Sequence, residues 1–133
     1  MTDLESARKF FSKDLYATEA TGIQIDAVAD GYAKCSLKLD NRHKNAMGHT
    51  MGGVMFTLAD FVFAVATNFK KDVFTVSTVG NICYYNPVKG DILYGESRLI
   101  KDGRSTVFYE IEITDNKGTL IAGITMTGSH LKR

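Results

Sequence analysis

A carboxylate set inside an apolar run, eight residues after the first glycine of a Gly-Gly pair, is the arrangement in this chain most suited to catalysis. Between Gly48 and Phe69, Asp60 and His49 are the only ionisable residues. The run Gly52-Gly53-Val54-Met55-Phe56-Thr57-Leu58-Ala59-Asp60-Phe61-Val62-Phe63-Ala64-Val65-Ala66-Thr67 has apolar side chains on every face, so as a helix it would be buried nearly all round. Burial disfavours a lone carboxylate and raises its pKa. Asp60 is therefore either a general base or nucleophile, or a structural carboxylate bonded to backbone amides or a hydroxyl. Gly52 and Gly53 open the helix with no good capping side chain, so its first amides are left free at the positive end of the dipole. Such an end can hold a phosphate, a carboxylate or a developing oxyanion. Alternatively the two glycines serve only a tight turn and close packing.

Distance decides how the two features could cooperate. At 1.5 Å per residue, about 12 Å of helix separates Gly52 from Asp60. One helix cannot place its own Asp60 beside a carbonyl gripped by its own Gly52. Two antiparallel copies can, each N-terminus facing the other's Asp60. If both residues act in one reaction, the site lies between subunits and the protein is at least a homodimer with two equivalent sites.

Periodicity and turn residues mark out the surrounding helices and strands. Asp3 to Tyr16 is an amphipathic helix, with Leu4, Ala7, Phe10, Phe11 and Leu15 along one side. Ile23 to Ala29 and Tyr32 to Leu39 alternate as strands about an Asp30-Gly31 turn. The polar, glycine-punctuated stretch from Asp40 to Met51 is a loop. Beyond the buried helix come strands at Val73 to Tyr85, Asp91 to Lys101, Ser105 to Thr114 and Thr119 to Ser129. Asp102-Gly103 and Asn116-Lys117-Gly118 supply turns between the last three. In Ser105 to Thr114, Val107, Tyr109, Ile111 and Ile113 face one way, and Phe108, Glu110 and Glu112 the other. Strands that follow one another without alternating helices form an antiparallel sheet, giving an α+β domain whose sheet curls about the long helix.

The 133 residues suit one domain with a real core. A net charge of +1 gives no pull toward nucleic acid or anionic membranes. The N-terminus lacks the order of a signal peptide, and the apolar run is short for a bilayer and carries Asp60 at its centre. A soluble cytoplasmic protein is expected. Cys35 and Cys83 suggest no disulfide framework, and His43 and His130 have no ligand-like spacing with them, so no metal site is expected.

The stretch Asn45-Ala46-Met47-Gly48-His49-Thr50-Met51-Gly52-Gly53, continuing to Leu58-Ala59-Asp60, resembles the signature of hot-dog-fold acyl-CoA thioesterases, in particular their phenylacetate-pathway (PaaI-like) branch. That signature is an Asn, six residues, Gly-Gly, six residues and an Asp, often with Leu-Ala before it; all of these match. Val76-Ser77-Thr78-Val79-Gly80-Asn81-Ile82-Cys83-Tyr84-Tyr85-Asn86-Pro87 is similar to the strand that ends in the family's proline. Gly90-Asp91 and the Asp102-Gly103-Arg104-Ser105 turn match as well, so the resemblance runs from Ile23 to His130.

The resemblance implies a fold and a set of roles. It implies a hot-dog fold hydrolysing an acyl-CoA thioester at the interface of a dimer, often paired into a tetramer. Asp60 would be nucleophile or base toward water. The Gly52 N–H would hold the thioester oxygen, Asn45 would orient water or carbonyl, and Ser77 would assist from its strand, with Thr78 the alternative one register away. Gly53, Met51, Thr78 and Arg104 would border the substrate. No cofactor is implied, since coenzyme A belongs to the substrate. Many members carry His where this chain has Met51, so one polar contact to the oxygen is absent while the helix amide remains. His49 is a candidate substitute, and Lys89, Arg98, Lys101 and Arg104 are candidates for the coenzyme A phosphates. Two alternatives stand beside hydrolysis: a non-catalytic acyl-CoA binding module, and a hot-dog dehydratase, which usually pairs a His with the acid.

Overall fold

In the computed structural model, which describes residues 1–132, the apolar run after Gly52 forms the long helix α2 (Gly52–Asn68). A six-stranded antiparallel sheet packs around it in the order β1-β2-β4-β5-β6-β3. The strands are β1 (Ile23–Ala29), β2 (Tyr32–Lys38), β3 (Thr75–Tyr84), β4 (Ile92–Asp102), β5 (Thr106–Asp115) and β6 (Leu120–His130). Each expected strand is present to within about two residues at its ends, the usual scatter of a boundary. The β1–β2 hairpin turns at Gly31, whose φ of 72° suits a residue without a Cβ. Along β5 the expected alternation holds: Val107, Tyr109, Ile111 and Ile113 are buried, and Phe108, Glu110 and Glu112 are exposed.

Three glycines let α2 lie close on the sheet. A Cβ at Gly95 of β4 would come within 3.0 Å of Val62 and 3.1 Å of Leu58. One at Gly80 of β3 would meet Phe56 at 2.7 Å, and one at Gly128 of β6 would meet Phe63 at 2.5 Å. Missing side chains on three strands thus form a trough for the helix. Leu58, Val62 and Val65 are fully buried in it, each stabilising the fold by about 2 kcal/mol.

The first helix departs from expectation. Helix α1 covers Asp3–Phe11 rather than reaching Tyr16; the Ser12 Oγ donates to the Lys9 carbonyl at 2.6 Å, and the chain re-enters as a wide turn at Tyr16–Thr21. Only Ala7 and Phe11 of its apolar side are buried, and Leu15 and Tyr16 are exposed. Phe11 meets Phe61 of α2 edge-on at 6.1 Å. From the same helix the Arg8 Nε donates to the carbonyl of Ile25 at 2.9 Å, so α1 covers the β1 edge of the sheet. The opposite edge, β3, has no such cover. All of its residues from Val76 to Tyr84 except Ile82 are exposed, and none of its ten residues is charged.

Candidate active site

The residues marked by the sequence fall into two groups in the single chain. The first lies where α2 faces β3. Asp60 is not enclosed on all sides, as the apolar run led one to expect; it is exposed, on the stripe of α2 that the sheet covers least, where Gly53 is also exposed and Thr57 and Ala64 are half-buried. The helix is apolar all round, but a single chain's sheet does not close around it. Ser77 of β3 donates its hydroxyl to Asp60 Oδ1 at 3.4 Å. Thr78, one residue on, instead donates to the Thr127 carbonyl of β6 at 3.2 Å. A bulge between Ser77 and Val79 separates the two, and it is Ser77 that faces the helix.

One flank of Asp60 is open, but the other is crowded by protein, and the crowding governs its acidity. Desolvation pushes the carboxyl up from the ordinary aspartate value; the Ser77 bond opposes the shift and the charge of Asp14 adds to it. A carboxylate held this way is a stronger base than one in water.

The second group surrounds the N-terminus of α2. Met51 is the N-cap residue and provides no side-chain cap. The Val54 amide turns back to the Met51 carbonyl at 3.0 Å, while the Gly52 and Gly53 amides find no acceptor among the described residues. Gly52 borders an open cavity of about 640 Å³, which Lys44, His49, Tyr84, Tyr85 and Asn86 also line. The Tyr84 hydroxyl donates to the Gly52 carbonyl at 2.8 Å. Asp60 is not among the residues of this cavity. A single chain thus carries a carboxylate and a free-amide end on one helix, but not in one place.

Asn45 shapes the approach to this end. Its Oδ1 accepts the amides of Met47 at 3.0 Å and His49 at 3.1 Å, so it folds the loop that carries His49 to the cavity. Met51 is exposed beside the helix end. His43 is buried in a structural role: Nδ1 accepts the Asp40 amide at 3.0 Å and Nε2 donates to the Thr21 carbonyl at 2.7 Å. The Met51 amide donates to the His43 carbonyl at 2.9 Å, tying the helix start to this buried ring.

The cationic candidates are scattered. Arg104 is exposed in the β4–β5 turn, at the end of the sheet where Thr106 pairs with Ser129 and Ser129 with Val76, away from the Gly52 cavity of its own chain. Arg98 stands mid-strand and pairs with Glu110 at 2.5 Å, so it is not at a strand end. Two residues escaped the sequence reading. Tyr84 is one; only its alternation with Ile82 along β3 hinted that it faces the helix. Asp115 is the other. Its carboxylate accepts amides of Lys89, Gly90, Lys117 and Thr119 at 2.8–3.0 Å, pinning the segment after Pro87 that walls the cavity. Among the described residues no cluster of side chains is arranged to hold a metal ion.

Comparison with known proteins decides what this scaffold is. Residues 47–122, more than half of the chain, match the family described as the Thioesterase superfamily. The chain belongs to that superfamily. This thioesterase is 28% identical to acyl-coenzyme A thioesterase PaaI of Escherichia coli, over 89% of this chain and 84% of the relative. It is 30% identical to human acyl-coenzyme A thioesterase 13, over 83% of this chain and 78% of the relative. Its fold matches a thioesterase of Haemophilus influenzae with a TM-score of 0.88, at 22% identity and over 99% and 92% of the two chains. Zebrafish thioesterase superfamily member 2 aligns with a TM-score of 0.84 at 25% identity, over 99% and 100%. The architecture is the α+β hot-dog fold.

Proposed function

We propose that this thioesterase hydrolyses acyl-CoA thioesters to the free acid and coenzyme A, at a site shared between two copies of the chain. The observation that carries this reading is the free-amide end of α2 opening onto a cavity, with the carboxylate of the same helix two turns away on its least covered stripe. The relatives named for acyl-coenzyme A thioesterase activity support the substrate class.

In this mechanism Asp60 of one copy attacks the thioester carbonyl or takes a proton from water that does so, and Ser77 orients its carboxylate. The Gly52 amide of the other copy receives the oxyanion as the carbonyl becomes tetrahedral, and thiolate leaves as the carbonyl re-forms; where Asp60 was the nucleophile a water then hydrolyses the resulting Asp60–acyl anhydride to the free acid, and where it was the base its proton passes to the departing thiolate. Asn45 shapes the loop beside that amide; Gly53 and Met51 border the acyl group, and Thr78 and Arg104 lie on the substrate's path from the Asp60 side. No cofactor takes part.

The dimer follows from the same logic. The β3 edge is uncharged, uncovered and ten residues long, a surface suited to pairing with another strand. Antiparallel pairing of β3 with β3 of a second copy would cover the exposed Val76 and Val79, close the sheet over the Asp60 stripe and bring each helix end toward the other carboxylate. Further stacking of dimers into a tetramer and a cytoplasmic location belong to the same reading. Among the described residues no helix is long and apolar enough to cross a membrane.

Thiol release from a panel of aromatic and aliphatic acyl-CoAs tests the function, with wild type beside Asp60→Asn. Turnover in the wild type that is lost in a folded variant is the expected result. Wild-type protein that binds these thioesters without releasing thiol would instead make it an acyl-CoA binding module.

A further inference from the structure

The oxyanion site in this reading is built on two consecutive glycines, an unusually loose foundation. Glycine adopts left- and right-handed backbone conformations with similar ease, and each in a helix weakens it relative to alanine. No side chain caps the start of α2, and the Met51 side chain has no hydrogen-bond donor to lend. Preorganised donors are nevertheless what such a site needs.

The order comes from β3. The Tyr84 hydroxyl donates to the Gly52 carbonyl at 2.8 Å, adding a second bond to an oxygen that the helix already uses. The fit between the two residues is close: a Cβ at Gly52 would stand 2.8 Å from the Tyr84 Oη and 3.0 Å from its Cζ. At Gly53, by contrast, a Cβ would meet nothing within 4 Å. One turn on, the Thr57 hydroxyl donates to the Gly53 carbonyl at 2.9 Å. Each glycine carbonyl thus receives a side-chain hydroxyl, but only Tyr84 reaches in from outside the helix. Holding the Gly52 carbonyl fixes the plane of the Gly52–Gly53 peptide, which carries the Gly53 N–H, and limits rotation at Gly52 itself.

We propose that Tyr84 is a positioning residue for the oxyanion site, setting the directions of the Gly52 and Gly53 amides through its hydrogen bond to the Gly52 carbonyl. This rests on the thioesterase reading above. Tyr84 supplies from the strand the order that a polar residue at position 51 does not provide here. Because the bond strengthens the response to an oxyanion more than to a ground-state carbonyl, its loss falls on kcat rather than KM.

The test is Tyr84→Phe, which keeps the ring and removes only the hydroxyl. Steady-state kinetics on the acyl-CoA that wild type turns over fastest should show kcat lower by about tenfold to a hundredfold with KM held. In 15N-labelled protein the Gly52 and Gly53 amide resonances should shift or broaden, while those of β4 and β5 stay in place. An unchanged kcat, a rise in KM alone, or unmoved glycine resonances would overturn the proposal. If wild type turns over no thioester, the function reading fails by itself, and the glycine resonances alone decide whether Tyr84 orders the amides.

Discussion

Ser77 on β3 and Asp60 on α2 face each other across the gap between sheet and helix, the hydroxyl donating to Oδ1 at 3.4 Å. The bond is long, and it works against the desolvation that pushes the carboxyl up. Asp14 is a like charge that pushes the same way as desolvation.

These opposing influences predict paired pH shifts. A catalytic Asp60 must be ionised, so the acidic limb of kcat/KM lies above the ordinary aspartate range. Ser77→Ala removes the influence that lowers the pKa and moves the limb to higher pH. Asp14→Asn removes one that raises it and moves the limb to lower pH. Rate profiles of the two variants measured side by side check the signs; shifts in the same direction would exclude Asp60 as the group that titrates.

Stability should move against activity at the same residue. A raised folded-state pKa means that the folded chain binds the proton more tightly than the unfolded one. That stabilisation is complete below the unfolded value of 3.8 and is lost as pH rises through the higher folded value. At neutral pH the carboxylate is therefore a burden on the fold. Asp60→Asn should melt higher than wild type at pH 7, with the gap closing as pH falls toward 4, while thiol release drops at least a hundredfold, on the order of a lost catalytic group. Melting curves at several pH values measure the first effect.

What the sequence revealed and what it hid have physical causes. Strands such as β5 were legible because alternation such as Val107, Tyr109, Ile111 and Ile113 reports two faces directly. The spacing from Gly52 to Asp60 along one helix already required a second copy for joint action. Exposure of Asp60 was not legible, because an all-apolar helix does not say whether its cover comes from its own sheet or from another chain. The C-terminal limit of α1 was hidden for a similar reason: Leu15 continued the apolar spacing, yet it ends on the surface. Tyr84 reaches the Gly52 carbonyl and Asp115, beside its local bonds to Lys117 and Thr119, reaches the amides of Lys89 and Gly90, and nothing local to either residue announces a partner more than twenty residues away.

The two glycines at the helix start should separate on substitution. Alanine at Gly52 collides with the Tyr84 hydroxyl at 2.8 Å and should lower the melting temperature. Alanine at Gly53 meets nothing within 4 Å and carries better helix propensity, worth about 1 kcal/mol or a rise of about 3 °C. Its methyl group intrudes beside the free amides, so turnover falls in this more stable variant. Scanning calorimetry with thiol-release rates tests the pair, and a Gly53→Ala protein that melts lower would show that the space is already filled by a second copy.

Asp115 offers a stability test away from the chemistry. Burial alone would raise its pKa, but four backbone amides outweigh that and hold it at about 2. Its contribution is present above 3.8 and is lost as pH falls through about 2. Asp115→Asn should cost about 2 kcal/mol at pH 7 and progressively less in acid. Urea unfolding at pH 7 and pH 3 checks it; an equal loss at both would mean that the carboxylate charge is immaterial.

The shared site makes the sharpest prediction, because it concerns two inactive proteins. Asp60→Asn keeps the amide end and loses the carboxylate; Gly52→Ala keeps the carboxylate and blocks the amide end. Each alone should be nearly inactive. Co-expressed with separable tags, half of the dimers formed by random pairing contain one of each. In those, one of the two sites draws Asp60 from the Gly52→Ala chain and Gly52 from the Asp60→Asn chain, and is intact. Activity should return to about a quarter of wild type in the mixture, and to about half in the purified heterodimer. Val79→Lys, which plants a charge on the β3 edge, should abolish the recovery while leaving the chain folded and monomeric. A mixture no more active than its parents would mean that each chain assembles its site alone, and the 12 Å or so between Gly52 and Asp60 would then have to be bridged by another group of the same subunit.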